Sequence, residues 1–220
     1  MTYKISIFGA GNIGSILASK FSQNNKVCVY LSEFDRKKPF YNDLKVICTD
    51  DQSEYSAKID LITKEIQEAI DYADLLFITY PASLFKDYAE KMIPFLKEGQ
   101  HLFFIPGSGG AELFFKDVVN KGVTISGLQR VHSVGRLVEV GKVVNESGIR
   151  KQLLVASIPN SFNDEARKII NDLYNISEEE ILNVVLASSA IPFIFEPVTI
   201  SSLVNNPNIF WVSWLHVINE

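Results

Sequence analysis

The sequence predicts a doubly wound α/β domain, in which a mostly parallel sheet is covered by helices on both faces. Two observations carry this expectation. Short, continuously apolar runs alternate with amphipathic segments over the first 130 residues, and a glycine-rich turn closes the first of those runs. A strand with one wet face alternates apolar and polar side chains, whereas a strand buried on both faces reads as a single apolar block, as these do.

The elements follow in order. Residues 4–8 (KISIF) and 27–31 (VCVYL) form two buried strands, and residues 74–79 and 101–105 have the same texture. Weaker strands are expected near 44–48, 60–62 and 123–126. Apolar residues at helical spacing place helices at 12–23, 64–71, 83–96 and 111–120. After Gly127 the pattern changes to β-rich segments at 131–140, 142–145 and 152–158, punctuated by Gly141 and Gly148. These are expected to add antiparallel strands at a sheet edge. A helix over 161–173 follows, with Asn160 or Ser161 as its cap and Asp164 and Glu165 in its first turn. The division expected is a nucleotide-binding domain over 1–160, then a helical linker and the start of a truncated second domain over 161–220.

Bulk properties narrow the function. A chain of 220 residues holds one large domain or one domain and part of another, at roughly 100–200 residues per domain. Its 21 basic and 26 acidic side chains leave a formal charge of −5. That balance is a poor match for nucleic acid or anionic membrane, whose phosphates need clustered Lys and Arg. Two cysteines, Cys28 and Cys48, make no disulfide framework, and no metal-ligating cluster is legible. There is no signal-like leader and no apolar stretch of membrane-spanning length, so a soluble, cytoplasmic protein is expected. From Ile181 to Asn219 the single charged residue is Glu196, and Pro192, Pro197 and Pro207 interrupt the run. Such a charge-poor segment needs a covering surface, expected from either a second copy in a homodimer or a downstream domain.

The turn Gly9-Ala10-Gly11-Asn12-Ile13-Gly14 has the spacing GxGxxG, with a strand before it and a helix after it. Each glycine has a separate task in dinucleotide binding: the tight turn at Gly9, close approach of a pyrophosphate at Gly11, and close helix–strand packing at Gly14. The unpaired N–H groups and dipole of the helix start, from Asn12 and Ile13 onward, attract the phosphates. The expected fold is therefore of the Rossmann type, and the cofactor NAD or NADP. At the end of the second strand, where an acidic residue would hold a ribose hydroxyl, Leu31 or Ser32 stands, with Glu33 next. Arg36, Lys37 and Lys38 follow; they can meet the 2′-phosphate of NADP, toward which the reading leans, or form a solvated loop.

Two further turns fall at the carboxyl ends of strands, the edge where ligands bind in such sheets. Tyr80-Pro81-Ala82 is placed as a wall of the cofactor site, with Pro81 in the first turn of the next helix, where its missing N–H costs nothing. Pro106-Gly107-Ser108-Gly109-Gly110-Ala111-Glu112 exposes its backbone to an anion or to the nicotinamide.

Four segments, GAGNIG, ADLLFITYPA, PGSGGAE and GLQRVHSVGR…GK…LLVASIP, resemble the opine dehydrogenase family. The first two are common to many Rossmann reductases, ketopantoate reductases included; the last two are more specific, and together they cover about residues 4–160. The resemblance implies an NAD(P)H-dependent reductase that condenses an amino acid with a 2-oxo acid and reduces the imine, or runs the reverse. It also implies a helical second domain with a catalytic histidine after an Asn-Pro stretch. Here that stretch is Asn205-Asn206-Pro207-Asn208-Ile209-Phe210-Trp211, with no histidine in register, and His216 lies nine residues past Pro207.

Among the other histidines, His101 opens a strand at the end away from the ligand edge, a structural position. His132, within QRVHSVGR, is a weak candidate base for which a surface or edge-strand position is the simpler expectation. Arg130 and Arg136 flank it and suit a substrate carboxylate through their bidentate fork. Two other readings stand beside the oxidoreductase: a non-catalytic dinucleotide-binding module that dimerises through its apolar tail, and a ketopantoate-reductase-like enzyme.

Overall fold

The structure is a computed structural model that describes residues 2–33, 35, 39–107, 110–150, 153–174 and 185–186. Its centre is an eight-stranded sheet. Strand β1 (Lys4–Phe8) leads through the glycine turn into helix α1 (Asn12–Phe21) and back to β2 (Lys26–Tyr30). Strand β5 (Leu61–Thr63), helix α2 (Ile66–Tyr72), strand β6 (Leu75–Ile78), helix α3 (Phe85–Met92), strand β7 (His101–Phe104), helix α4 (Ala111–Phe115) and strand β8 (Thr124–Leu128) continue the alternation. Their spatial order is β5-β2-β1-β6-β7-β8, all parallel. Numbered among themselves these strands run 3-2-1-4-5-6, the doubly wound order. The strand order reverses between β1 and β6, and this opens a crevice at their carboxyl ends. The expected fold class is borne out.

Strand alternation divides the core. Ile5, Ile7, Val27, Val29, Phe77 and Phe103 face α1, while Phe8, Cys28, Leu76, Ile78, Leu102 and Phe104 face α2 and α3. The first face is also covered by α5 (Asn163–Tyr174), through Ala166, Ile169, Ile170 and Leu173. The helix expected as a linker thus lies in the same core as α1. It starts two residues later than the sequence suggests, because Asn160–Phe162 forms a separate 3₁₀ turn.

Helix ends differ from expectation for local reasons. Helix α3 stops at Met92, not near residue 96: Ile93 keeps helical backbone and donates to the Ala89 carbonyl, but Pro94 brings no N–H to continue the ladder. The helix expected over 111–120 is α-helical only to Phe115, then tightens into a 3₁₀ run over Lys116–Lys121 that Gly122 closes with φ +78°.

The main departure concerns the β-rich segment. Only β11 (Leu154–Ile158) joins the large sheet, antiparallel to β8, with β12 (Val185–Leu186) beside it. Strands β9 (Val134–Glu139) and β10 (Val143–Ser147) are not edge strands of that sheet. They pair with β3 (Asp43–Cys48) and β4 (Glu54–Lys58) in a second sheet, ordered β4-β3-β10-β9. Strand β10 runs parallel to β3, Val143 opposite Lys45, so the sheet is joined by a pairing about a hundred residues apart in the chain. It packs on the outer side of α1 through Ile16, Val46 and Val144.

Candidate functional site

Strand β1 ends at Phe8, and the chain turns at Gly9 with φ +117°, a region that side chains avoid. A β-carbon at Gly9 would lie 2.5 Å from the Thr79 hydroxyl and 3.3 Å from the Tyr80 ring; one at Gly14 would fall onto the Gly9 carbonyl. Gly11 is different, because a β-carbon there meets nothing within 4 Å. Two glycines are thus required by packing and the third faces open space. That space lies over the first turn of α1, whose N-cap, Gly11, has no side chain to satisfy the N–H groups behind it. This is the cradle that a pyrophosphate fits.

The loop is braced from all sides. Gly9 N–H donates to the Tyr30 carbonyl (3.4 Å), and Thr79 donates through its backbone N–H (3.1 Å) and its hydroxyl (3.0 Å) to the Phe8 carbonyl. Ile13 is half-buried against the core. The Asn12 side chain is already engaged: its Oδ1 accepts the Leu137 N–H at 2.9 Å and ties the second sheet to the helix start. The Asn12 backbone remains in the first turn.

Around this loop stand the other predicted residues. Ser32 is buried just past β2, and its hydroxyl and N–H both donate to the Asp35 carboxylate, at 2.5 and 3.2 Å. Tyr80 is buried with its ring stacked on Tyr88, centroids 3.9 Å apart, and burial raises its phenol far above the usual range. Pro81 is exposed and caps the short 3₁₀ turn Ala82–Leu84 that leads into α3. Pro106 and Gly107 follow β7 at the same edge, and Gly107 N–H donates to the Leu128 carbonyl at 2.6 Å. Arg36, Lys37 and Lys38, and Ser108 and Gly109 of the second glycine loop, lie outside the described residues. So does the 205–211 stretch with His216. Sequence reasoning missed Asp35; a carboxylate five residues beyond β2 was a legible signal, masked by the basic trio that follows it.

His132 is not the surface or edge-strand residue expected. It is 8% exposed, and its ring stacks on Tyr174, centroids 4.4 Å apart. Burial, with the Lys20 ammonium nearby, pushes its pKa down to about 4, opposed by Glu146. Lys20 is in the last turn of α1 and pairs with the buried Glu146 carboxylate at 2.8 Å. Lys20 stands eight positions beyond Asn12, so this cluster lies roughly 12 Å along the helix from the glycine turn. His101, as expected, is structural, bonded through Nδ1 to the Thr124 hydroxyl (2.6 Å) and stacked on Phe162. Arg130 is exposed. Arg136 is exposed on β9, on the face opposite Gly135 and Leu137, with Nη1 on the Gly135 carbonyl at 3.1 Å. Among the described residues no group of three or more His, Cys, Asp or Glu gathers as a metal site, and no helix is long and apolar enough to cross a membrane.

Comparison with known proteins agrees with this geometry. The family model described as NAD-dependent glycerol-3-phosphate dehydrogenase N-terminus matches residues 4–136. Octopine dehydrogenase of Mizuhopecten yessoensis is 26% identical over 171 residues, 72% of this chain and 42% of that enzyme. The NAD(P)+ glycerol-3-phosphate dehydrogenase of Ligilactobacillus salivarius is 29% identical over 172 residues, 77% of this chain and 45% of that enzyme. The chain therefore spans less than half the length of these curated relatives. A solved octopine dehydrogenase with NADH and L-arginine superposes with a TM-score of 0.71 at 22% identity, covering 84% of this chain and 49% of that one. That likeness establishes the fold. The octopine dehydrogenases among these relatives agree with the resemblance carried by the four segments.

Proposed function

We propose that this chain, which belongs to the NAD-dependent glycerol-3-phosphate dehydrogenase N-terminal family, is the dinucleotide-binding domain of an NAD(P)-dependent oxidoreductase resembling opine dehydrogenases. The observation that carries the reading is the glycine turn at the crevice, closed by packing at Gly9 and Gly14 and open at Gly11. The backbone N–H groups of Gly11, Asn12 and Ile13 are the ones to hold the pyrophosphate, with Gly14 bringing the helix close enough to present them. Ser32 and Arg36 are proposed on the ribose side. Tyr80 and Pro81 form a wall of the crevice, and Pro106 and Gly107 flank the nicotinamide end.

When bound, the reduced cofactor supplies a hydride, which in the reading proposed reduces the imine formed with loss of water from an amino acid and a 2-oxo acid. The chain's own part is to hold and shield. Thr79 and Tyr80 fix the turn, and Arg130 and Arg136 are the proposed carboxylate partners. His132 is given no acid–base role, since it lies neutral against the far end of α1. The remainder of the reading is a cytoplasmic protein whose second part, expected from residue 161, begins beyond α5, because α5 packs in the first part's core. In this reading the protein dimerises through the charge-poor 181–219 segment; sedimentation velocity tests the dimer.

The test of function is a fluorescence titration with NADH and NADPH, followed by cofactor oxidation with L-amino acids and 2-oxo acids. A parallel assay uses glycerol 3-phosphate with oxidised cofactor. Saturable cofactor binding and turnover that requires both an amino acid and a 2-oxo acid are expected. Binding without turnover in any assay selects the non-catalytic module instead. Turnover of glycerol 3-phosphate alone replaces the opine reading, and no binding to folded chain overturns the proposal.

A further inference from the structure

The hairpin of β9 and β10 is fastened to α1 by polar contacts more than by apolar burial. Val144 is its one buried apolar side chain, and the cluster it joins holds two other buried residues, Ile16 and Val46. The strands β3 and β4 beside it are better anchored, since Leu44 and Ala57 belong to the large core that α1 covers. Two contacts pin the hairpin at opposite ends of the helix. At the first turn Asn12 Oδ1 accepts the Leu137 N–H (2.9 Å), and Gly135 lies against the Asn12 carbonyl. At the last turn Lys20 pairs with the buried Glu146 carboxylate at 2.8 Å. His132 seals that second contact from its place two residues before β9. Lys20 reaches its ring from α1, Glu146 from β10 and Tyr174 from α5, while Tyr55 of β4 lies beside Glu146. Behind the ring, the Arg150 N–H donates to the His132 carbonyl (2.8 Å). Burial and the Glu146 carboxylate hold both phenols protonated. The imidazole is the side chain whose ordinary titration falls between pH 5 and 8. Its Nδ1 is buried and meets no hydrogen-bond partner among the described residues. A neutral ring forgoes one hydrogen bond there, whereas a protonated ring would carry an N–H with nowhere to donate, next to the Lys20 ammonium. The carboxylate that could balance the charge is engaged by Lys20. A charged ring is therefore favoured only outside the cluster.

We propose that the β9–β10 hairpin is an acid-released clasp: protonation of His132 frees it at the Lys20 end of α1, and a cofactor held at the Asn12 end keeps it shut. The cofactor's part rests on the dinucleotide reading of the glycine turn. A pyrophosphate on the first turn of α1 fixes Asn12, whose side chain and carbonyl form the seat of β9. The bound state therefore favours the closed hairpin. With little apolar surface to hold it, the hairpin opens at a lower free energy than the large sheet, as a local unit. The coupling runs both ways, so acid that opens the hairpin weakens cofactor binding by the factor with which cofactor opposes opening.

The experiment is amide hydrogen exchange on the whole chain, read by mass spectrometry in peptides of β9–β10 and of β1 and β6. It is run at pH 5 and pH 7.5, with rates corrected for the intrinsic pH dependence of exchange. Wild type, His132→Phe and His132→Gln are each measured free and with NAD+ or NADP+, whichever binds more tightly by calorimetry at pH 7.5. A ring that titrates at 6.5 in water and at about 4 when enclosed makes opening about thirtyfold easier at pH 5 than at pH 7.5. Wild-type protection of β9–β10 is expected to lie at least about tenfold below that of β1 and β6 at both pH values, the mark of a separate opening. It is expected to fall about thirtyfold on acidification, less than about threefold in either variant, and to recover about tenfold or more with cofactor. The wild-type series needs no variant: a fall under about threefold overturns the proposal by itself. Exchange of β9–β10 in step with β1 and β6, a full acid effect in a folded variant, or no gain in protection with cofactor bound also overturns the clasp alone. Binding of neither cofactor at pH 7.5 overturns the dinucleotide reading, and the clasp as stated with it.

Discussion

Single residues at the glycine turn do different physical work, and substitution separates them. Gly11→Ala adds a methyl into open space at an ordinary φ of −78°. The melting temperature is expected to stay within about a degree while cofactor affinity falls about tenfold or more, since only the ligand meets that methyl. Gly14→Ala drives a β-carbon into the Gly9 carbonyl, and overpacking of that kind costs about 1–3 kcal/mol of stability. Thermal melting and titration of both variants check the contrast. His132 makes a second residue-scale prediction. Its pKa falls from an ordinary 6.5 to about 4 on folding, so the unfolded chain binds the proton more readily. The native stability this group supports is complete above pH 6.5 and is lost as pH falls toward 4. The loss totals about 3 kcal/mol at a slope of up to ~1.4 kcal/mol per pH unit. His101, also lowered by burial, adds in the same direction. Urea unfolding of His132→Phe between pH 4 and 7 is expected to show a shallower slope than the wild type.

At the scale of elements, the second sheet meets α1 through the Asn12–Leu137 hydrogen bond, the Lys20–Glu146 pair, the Ile16 cluster and a close approach at Gly135. A β-carbon at Gly135 would lie 2.5 Å from Ile16 Cγ1 and 2.6 Å from the Asn12 carbonyl oxygen. That is why β9 carries glycine where it crosses α1. Gly135→Ala must push β9 off the helix or distort the helix start, at a cost of about 1–3 kcal/mol. Because Asn12 is the residue displaced, cofactor affinity is expected to fall with stability, unlike in Gly11→Ala. Chemical denaturation and cofactor titration of the same sample measure both. Helix α5 is secured differently: Ile170, fully buried between sheet and helix, is expected to cost about 2–5 kcal/mol when cut to Ala.

For the whole molecule, the doubly wound sheet places its ligand edge where two cores meet, so binding and folding are linked. A cofactor that binds only the native state adds about 2.7 kcal/mol at a hundred times its dissociation constant. For a chain of this size that shifts the melting temperature by about 5–10 °C. Differential scanning fluorimetry is expected to show that rise with NADH or NADPH, and none with adenosine-free nicotinamide mononucleotide at matched levels.

What the sequence determined by itself was local. The apolar blocks at β1, β2, β6 and β7, the GxGxxG turn between β1 and α1, and the free, buried Cys28 follow from neighbours within a few residues of one another. Burial raises the Cys28 thiol to about 12, which suits its reading as a small apolar residue. Period and turn chemistry are short-range properties, and the order of strands in a doubly wound sheet is restricted by the right-handed crossover. The second sheet was not legible, because β3 and β10 each read as a plausible edge strand and only the tertiary structure pairs Lys45 with Val143. The same holds for His132, whose exposure depends on Tyr174, forty-two residues onward, closing over it. Asp35 belongs with these. Its type and position were plain in the chain, but the hydrogen bonds with buried Ser32 that fold its carboxylate back to the strand end belong to the tertiary structure.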